Sequence, residues 1–241
     1  MKKFAKELTA LQDQLFEMGH LAESMVAMAT SQLLSKSAGD VFDAVMGRER
    51  RLDKMQLDID HEAVRMLTVY GPVATDLRYL LTVMHVNSAL ERMGDQAVNL
   101  CEDLQLLTAR PDAVPKPVLG QMARIVNEMV RGALDAVVGK NARIAEHVMT
   151  RDDLVDSMND QVVRELLSDE VVREVLRGPK DIAGALAQIL VARSMERIGD
   201  QAVNICEDVI YMVKGADVRH AEEMAEMAAE EATLAANPSS E

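Results

Sequence analysis

The sequence predicts an all-α fold: a tandem repeat of two elongated antiparallel three-helix bundles. Three observations carry that expectation. The 241 residues are 49% hydrophobic but only 2% aromatic, with no Trp and 17 Met, and Ala, Leu, Met, Glu and Arg favour helix. Apolar runs alternating at period two, the mark of strands, are scarce. A 13-residue segment, Glu91-Arg-Met-Gly-Asp-Gln-Ala-Val-Asn-Leu-Cys-Glu-Asp103, recurs as Glu196-Arg-Ile-Gly-Asp-Gln-Ala-Val-Asn-Ile-Cys-Glu-Asp208, 105 residues on.

The helices follow in order from their stop signals. A first helix is expected over about 4–35, ending at Ser37-Ala-Gly-Asp40, where Asp40 can cap the next helix. The second runs over about 41–70. Gly71-Pro72 ends it and opens the third, since Pro suits a first helical turn. The third continues to about Thr108. Arg110-Pro-Asp-Ala-Val-Pro-Lys-Pro117, with three prolines, is the linker. A fourth helix then spans about 118–138 and stops at Gly139-Lys-Asn141. A fifth spans about 142–167, with pieces reaching Leu176. Gly178-Pro179 repeats the Gly-Pro hinge before a sixth over about 180–214. The expected units are 1–109, a first three-helix repeat, and 118–216, a second. An acidic Ala- and Glu-rich tail, 217–241, then continues the last helix and frays.

A net charge of −14 argues against nucleic-acid binding, which needs a basic surface to displace counterions. It suits a protein that binds cations or a basic partner. The opening Met1-Lys-Lys-Phe-Ala-Lys-Glu lacks the apolar stretch of a signal peptide. No run of about 20 apolar residues could cross a membrane, and a cytoplasmic location is expected. Cys101 and Cys206 occupy matching positions on the apolar side of the repeated helix. They read as small buried hydrophobes, not as a disulfide.

The duplicated segment is where function is expected. Its copies agree at 11 of 13 positions, with two apolar swaps. Core packing tolerates apolar exchange but does not demand the same polar residues twice. On a helix, Glu91, Asp95, Asn99 and Glu102 share one face, opposite Leu90, Met93, Ala97 and Cys101. Glu196, Asp200, Asn204 and Glu207 do the same in the second copy. A solvated acidic face is the competing reading. Two facts oppose it: Glu91/Asp95 and Glu196/Asp200 are like-charge pairs four apart, which destabilise a surface helix, and the arrangement recurs residue for residue.

A cation site explains both facts. Acids four apart hold their carboxylates about 5–6 Å apart, and hard or borderline cations take such oxygens. One pair supplies too few ligands. The second helix of each unit offers another: Glu49-Arg-Arg-Leu-Asp53 and Asp152-Asp-Leu-Val-Asp156. Arg48 and Met55 match Arg151 and Met158 at the same offset. Antiparallel neighbours would set Glu49 and Asp53 beside Glu91 and Asp95, and Asp152 and Asp156 beside Glu196 and Asp200. Such clusters repel unless a cation neutralises them or some take up protons.

With these motifs the chain resembles the PhoU family of phosphate-uptake regulators over nearly its whole length. Ala74-Thr-Asp-Leu-Arg78, Leu90-Glu-Arg-Met-Gly-Asp95 and Met195-Glu-Arg-Ile-Gly-Asp200 carry the resemblance. One departure is the opening, where Met1-Lys-Lys-Phe4 stands in place of the usual His-x-Arg-x-x-Phe. The resemblance implies carboxylate-bound, often multinuclear metal sites, one on each bundle, holding Mg, Mn, Zn or Fe. It also implies a non-enzymatic regulator that links the ATPase of a phosphate-specific ABC transporter to a sensor histidine kinase. Such a regulator represses the phosphate regulon when phosphate is plentiful. A homodimer is plausible for long bundles.

The alternative is a carboxylate-bridged metalloenzyme. Glu17-Met-Gly-His20 has the Glu-x-x-His spacing of di-iron bundles, but that chemistry needs the motif on two helices and no second copy exists. The other histidines read as surface or structural residues. Arg92 and Arg197 can pair with Asp95 and Asp200 at i,i+3 or face a partner, and ion-pair support is the expected role.

Overall fold

The computed structural model describes residues 2–35, 41–110, 113–167 and 179–219. Among them are seven helices and no strand: α1 (Lys2–Ser35), α2 (Val41–Tyr70), α3 (Ala74–Thr108), α4 (Pro117–Gly139), α5 (Ala142–Met149), α6 (Asp152–Leu166) and α7 (Pro179–Lys214). Helices α1, α2 and α3 pack on one another. Helices α5 and α6 together take the place of α2 in the second bundle, beside α4 and α7. The expected cap at Asp40, the helical pieces beyond 167 and most of the acidic tail lie outside the described residues.

Local chemistry explains each turn. Gly71, at φ +52°, donates its N–H to the Leu67 carbonyl at 3.1 Å and closes α2. Helix α3 starts at Ala74, not at Pro72, because Val73 is extended at φ −128°, ψ 161° and swings the chain back. The Phe4 and Tyr70 rings meet edge-to-face at 5.1 Å, and the Tyr70 hydroxyl donates to Glu7 at 3.0 Å. The start of α1 is thereby tied to the end of α2. Pro117 opens α4 at a position where the missing N–H costs nothing. Lys140 ends α4 in the left-handed region, with the Asn141 N–H on the Ala136 carbonyl at 3.0 Å. Asn141 then caps α5, its side-chain oxygen accepting from the N–H of Arg143 at 3.0 Å.

The predicted fifth helix is two helices. The Thr150 hydroxyl donates to the His147 carbonyl at 2.8 Å, and the Arg151 N–H turns to the Val148 carbonyl at 3.0 Å. The Arg151 N–H has left the i→i−4 ladder at this point. The chain restarts one residue later, with Asp152 opening α6. Helix α2 runs unbroken through the matching Arg48.

The repeats join into one core. Helices α3 and α7 form the most extensive pairing and run antiparallel; α1 lies against α4. Fully buried Leu90, Met93 and Leu100 from α3 share that core with Met195, Ile198 and Ile205 from α7. Across the second seam, the Asn127 amide donates to the Thr30 hydroxyl at 2.8 Å. No described helix is long and apolar enough to cross a membrane.

Candidate metal centres

Side-chain size at one position sets the first centre. A Cβ built on Gly94 would lie 2.2 Å from Leu52 Cδ2, a distance no real pair adopts. The absent side chain lets α2 and α3 approach closely beside Asp53 and Asp95, the next residues along each helix. Glu49, Asp53 and Asp95 each place one oxygen within 4.8 Å of the others. The second copy of the motif does the same on α6 and α7, where Asp152, Asp156 and Asp200 come within the same limit. Gly199 is less tightly pressed: its Cβ would stand 3.7 Å from Met129 Cε and Val155 Cγ1. Sequence reasoning missed the glycine, although its presence in both copies was a usable signal.

The fourth predicted acid of each group stands slightly apart. Glu91 and Glu196 are not among the oxygens within that limit. Both stay within electrostatic reach, since the negative charges of Asp95 and Asp53 act on Glu91 and those of Asp200 and Asp156 on Glu196. Each is positioned as an outer carboxylate.

Electrostatics mark both groups as under strain. Burial, then the neighbouring carboxylates, raises Glu49, Glu91 and Asp95 above the usual range. In the second group burial raises Asp156, Glu196 and Asp200, with further carboxylate repulsion. Asp152 is pushed up to about 6 by burial, then by Asp156 and Asp200. Its Oδ1 is sealed from solvent and has no hydrogen-bond partner among the described residues. A buried, unpartnered carboxylate oxygen is costly, and a cation at this point would satisfy it. The all-oxygen donor set suits Mg, Mn, Fe or Zn.

The other candidates go elsewhere. Glu17 pairs with Arg51, and His20 lies 3.6 Å from Glu23, so the Glu-x-x-His spacing does not form a joint site. Cys101 and Cys206 are free and buried, and burial pushes both thiols up to about 12. Arg92 and Arg197 form no salt bridge to Asp95 or Asp200. One residue along a helix turns the side chain by about 100°, and Arg92 lines a cleft against the other repeat with Gln201, Asn204 and Glu207. Asn204 and Glu207 therefore leave the acidic face on which the helical projection placed them.

Comparison with known proteins accords with the two-repeat helical fold. The PhoU domain matches twice, over residues 15–104 and 119–209. A protein named phosphate-specific transport system accessory protein PhoU homolog, from Aquifex aeolicus, is 34% identical over 218 residues, covering 90% of this chain and 96% of its own. One of the same name from Pseudomonas aeruginosa is 34% identical, covering 91% and 88%. The crystal structure of PhoU from Pseudomonas aeruginosa superposes with a TM-score of 0.81 at 33% identity, covering 88% of this chain and all of that one. The phosphate transport system regulatory protein PhoU from Streptococcus pneumoniae shares the fold, with a TM-score of 0.78 at 22% identity. These names describe accessory and regulatory proteins, not enzymes. With both of its repeats matched and its helices superposing on a solved member, the chain belongs to the PhoU family.

Proposed function

We propose that this chain is a cytoplasmic, metal-binding accessory protein of phosphate uptake. In this reading it couples the ATPase of a phosphate-specific ABC transporter to a sensor histidine kinase and represses the phosphate regulon when phosphate is plentiful. The names of the relatives support the transport assignment. The observation that carries the metal assignment is the pair of three-carboxylate groups, each drawn from two helices. Glu49, Asp53 and Asp95 would hold one centre, with Glu91 beside it; Asp152, Asp156 and Asp200 would hold the other, with Glu196 beside it. A bound divalent or multinuclear cation would cancel the repulsion within each group and tie α2 to α3 and α6 to α7.

Elemental analysis and calorimetric titration with Mg²⁺, Mn²⁺, Zn²⁺ and Fe²⁺ test the metal assignment. Uptake in both halves is expected, with loss of the first centre in Asp95→Ala and of the second in Asp200→Ala. Unchanged metal content in the double variant would exclude these residues as ligands. Co-purification with the transporter ATPase and with the kinase, with and without chelator, tests the partner assignment separately.

A further inference from the structure

The two acidic groups use matching residues on unequal supports. Helix α2 is one 30-residue helix, and Glu49 and Asp53 sit well inside it. In the second repeat the chain breaks after Met149, and Asp152 is the first residue of the 15-residue α6. Helix α5, before the break, is anchored. Ala145 and Val148 are buried, a Cβ on Gly132 would meet Val148 Cγ2 at 2.6 Å, and Glu146 pairs with Lys214 of α7. A helix as short as α6 depends on packing for its stability, and the break lets it move while α5 stays.

Two matched positions loosen α6 further. Leu52 fills the space at Gly94, whereas its counterpart Val155 only reaches ordinary contact, 3.7 Å, with a Cβ on Gly199. Asn87 of α3 is fully buried. Its amide donates to the Gln56 carbonyl at 3.0 Å and to the Asp60 carboxylate at 2.9 Å, both on α2. The matching residue of α7 is Ala192, which has no donor to offer. Three side chains, Val155, Val162 and Leu166, form the buried face of α6. Against them stands like charge: Asp152 and Asp156 of α6 lie within electrostatic reach of Glu196 and Asp200 of α7. Partly buried charges are poorly screened by salt. Acids in the first turn steady α6 as a helix but do not attach it to α7. Arg151 pairs with Glu128, and Glu165 lies 3.7 Å from Lys116; both ties run to α4 and its N-cap.

We propose that α6 is the helix whose docking is set by cation occupancy, pivoting at Thr150-Arg151, while α2 stays docked on α3 with or without cation. This rests on the metal assignment above. Without a cation, the carboxylates of the second group hold α6 off α7. A divalent cation among Asp152, Asp156 and Asp200 reverses that repulsion and seats the helix. Lifting α6 uncovers the apolar side chains Val155, Val162 and Leu166, so occupancy of one centre is converted into a change of surface. The first centre, locked by Leu52 and Asn87, undergoes no such change.

Hydrogen exchange of the full chain, read by mass spectrometry in EDTA and in saturating Mn²⁺, tests this. Amides of α6 should exchange at least about fivefold more slowly with Mn²⁺, and those of α2 should change by less than about twofold. Asp156→Asn removes one of the opposed charges without a cation. In EDTA it should slow exchange in α6, whereas Asp53→Asn should leave α2 nearly unchanged. Calorimetry on the same samples reports Mn²⁺ uptake separately. No uptake defeats the metal assignment and this proposal with it. Uptake with α6 exchange unchanged, or with α2 slowed as much as α6, overturns the proposal and leaves the metal assignment standing. So does unchanged α6 exchange in Asp156→Asn.

Discussion

Gly94 and Leu52 are in such close register that a single added methyl group at Gly94 would overlap the leucine side chain. Their neighbours Asp95 and Asp53 depend on that approach. Gly94→Ala is therefore expected to lower stability by about 1–3 kcal/mol through overpacking and to weaken cation binding in the first group. At Gly199 the same change meets only ordinary contacts. There the better helix propensity of Ala offsets it by up to about 1 kcal/mol. Urea denaturation of both variants, paired with metal titration, checks the contrast.

Stability of the metal-free protein should rise on mild acidification. Asp152 titrates at about 6 in the fold against about 3.9 in an unfolded chain. The folded state thus binds the proton more tightly. The resulting stabilisation is complete below the unfolded value and lost as pH rises through about 6. Asp156, Glu196 and Asp200 shift the same way. Thermal melts in chelator should show a higher Tm near pH 5 than near pH 7.5. Asp152→Asn should flatten that slope, and saturating divalent cation should raise the neutral-pH Tm most.

His85 and Asp208 join the two repeats. Asp208 is only 6% exposed; burial raises its carboxyl and the His85 hydrogen bond pulls it down. Leu190 stands at the position matching His85. His85→Leu should leave Asp208 without that partner and cost about 1–3 kcal/mol. Adding Asp208→Asn should recover part of the loss. A double-mutant cycle in denaturant gives the coupling directly.

Both thiols should resist modification in the native state. Cys101 and Cys206 are fully buried, and thiols pushed up to about 12 offer little thiolate at neutral pH. A maleimide reagent should label neither until denaturant is added, and then label two per chain.

The helical reading captured what depends on local signals. Gly71, Pro117 and Asn141 act near the expected boundaries, and the cysteines lie in the core as their matching positions implied. Three features were not legible in this way. The break after Met149 falls inside a stretch of good helix formers, where no Gly or Pro marks it. The need for glycine at 94 comes from Leu52, 42 residues earlier in sequence. Asn204 and Glu207 share an angular sector with Asp200 on a projection, but a projection records direction and not which helix lies there. Farther along α7 the neighbour is α3, so the same sector meets a different repeat.

The duplicated segment touches three surroundings at once: the core through Met93 and Ile198, an acidic group through Asp95 and Asp200, and the opposite repeat through Asp103 and Asp208. Asp103 accepts from Ser194 of α7 at 2.7 Å, as Asp208 meets His85 of α3. Most sides of these helices meet the core, an acidic group or the other repeat, while Arg92, Glu102 and Arg197 stay exposed. That is a physical reason for near-identity over 13 residues while the flanking helices diverged. In a saturation mutagenesis screen, polar positions of the segment such as Asp95, Asp103, Asp200 and Asp208 should tolerate substitution less than exposed Glu102 and Arg197 do.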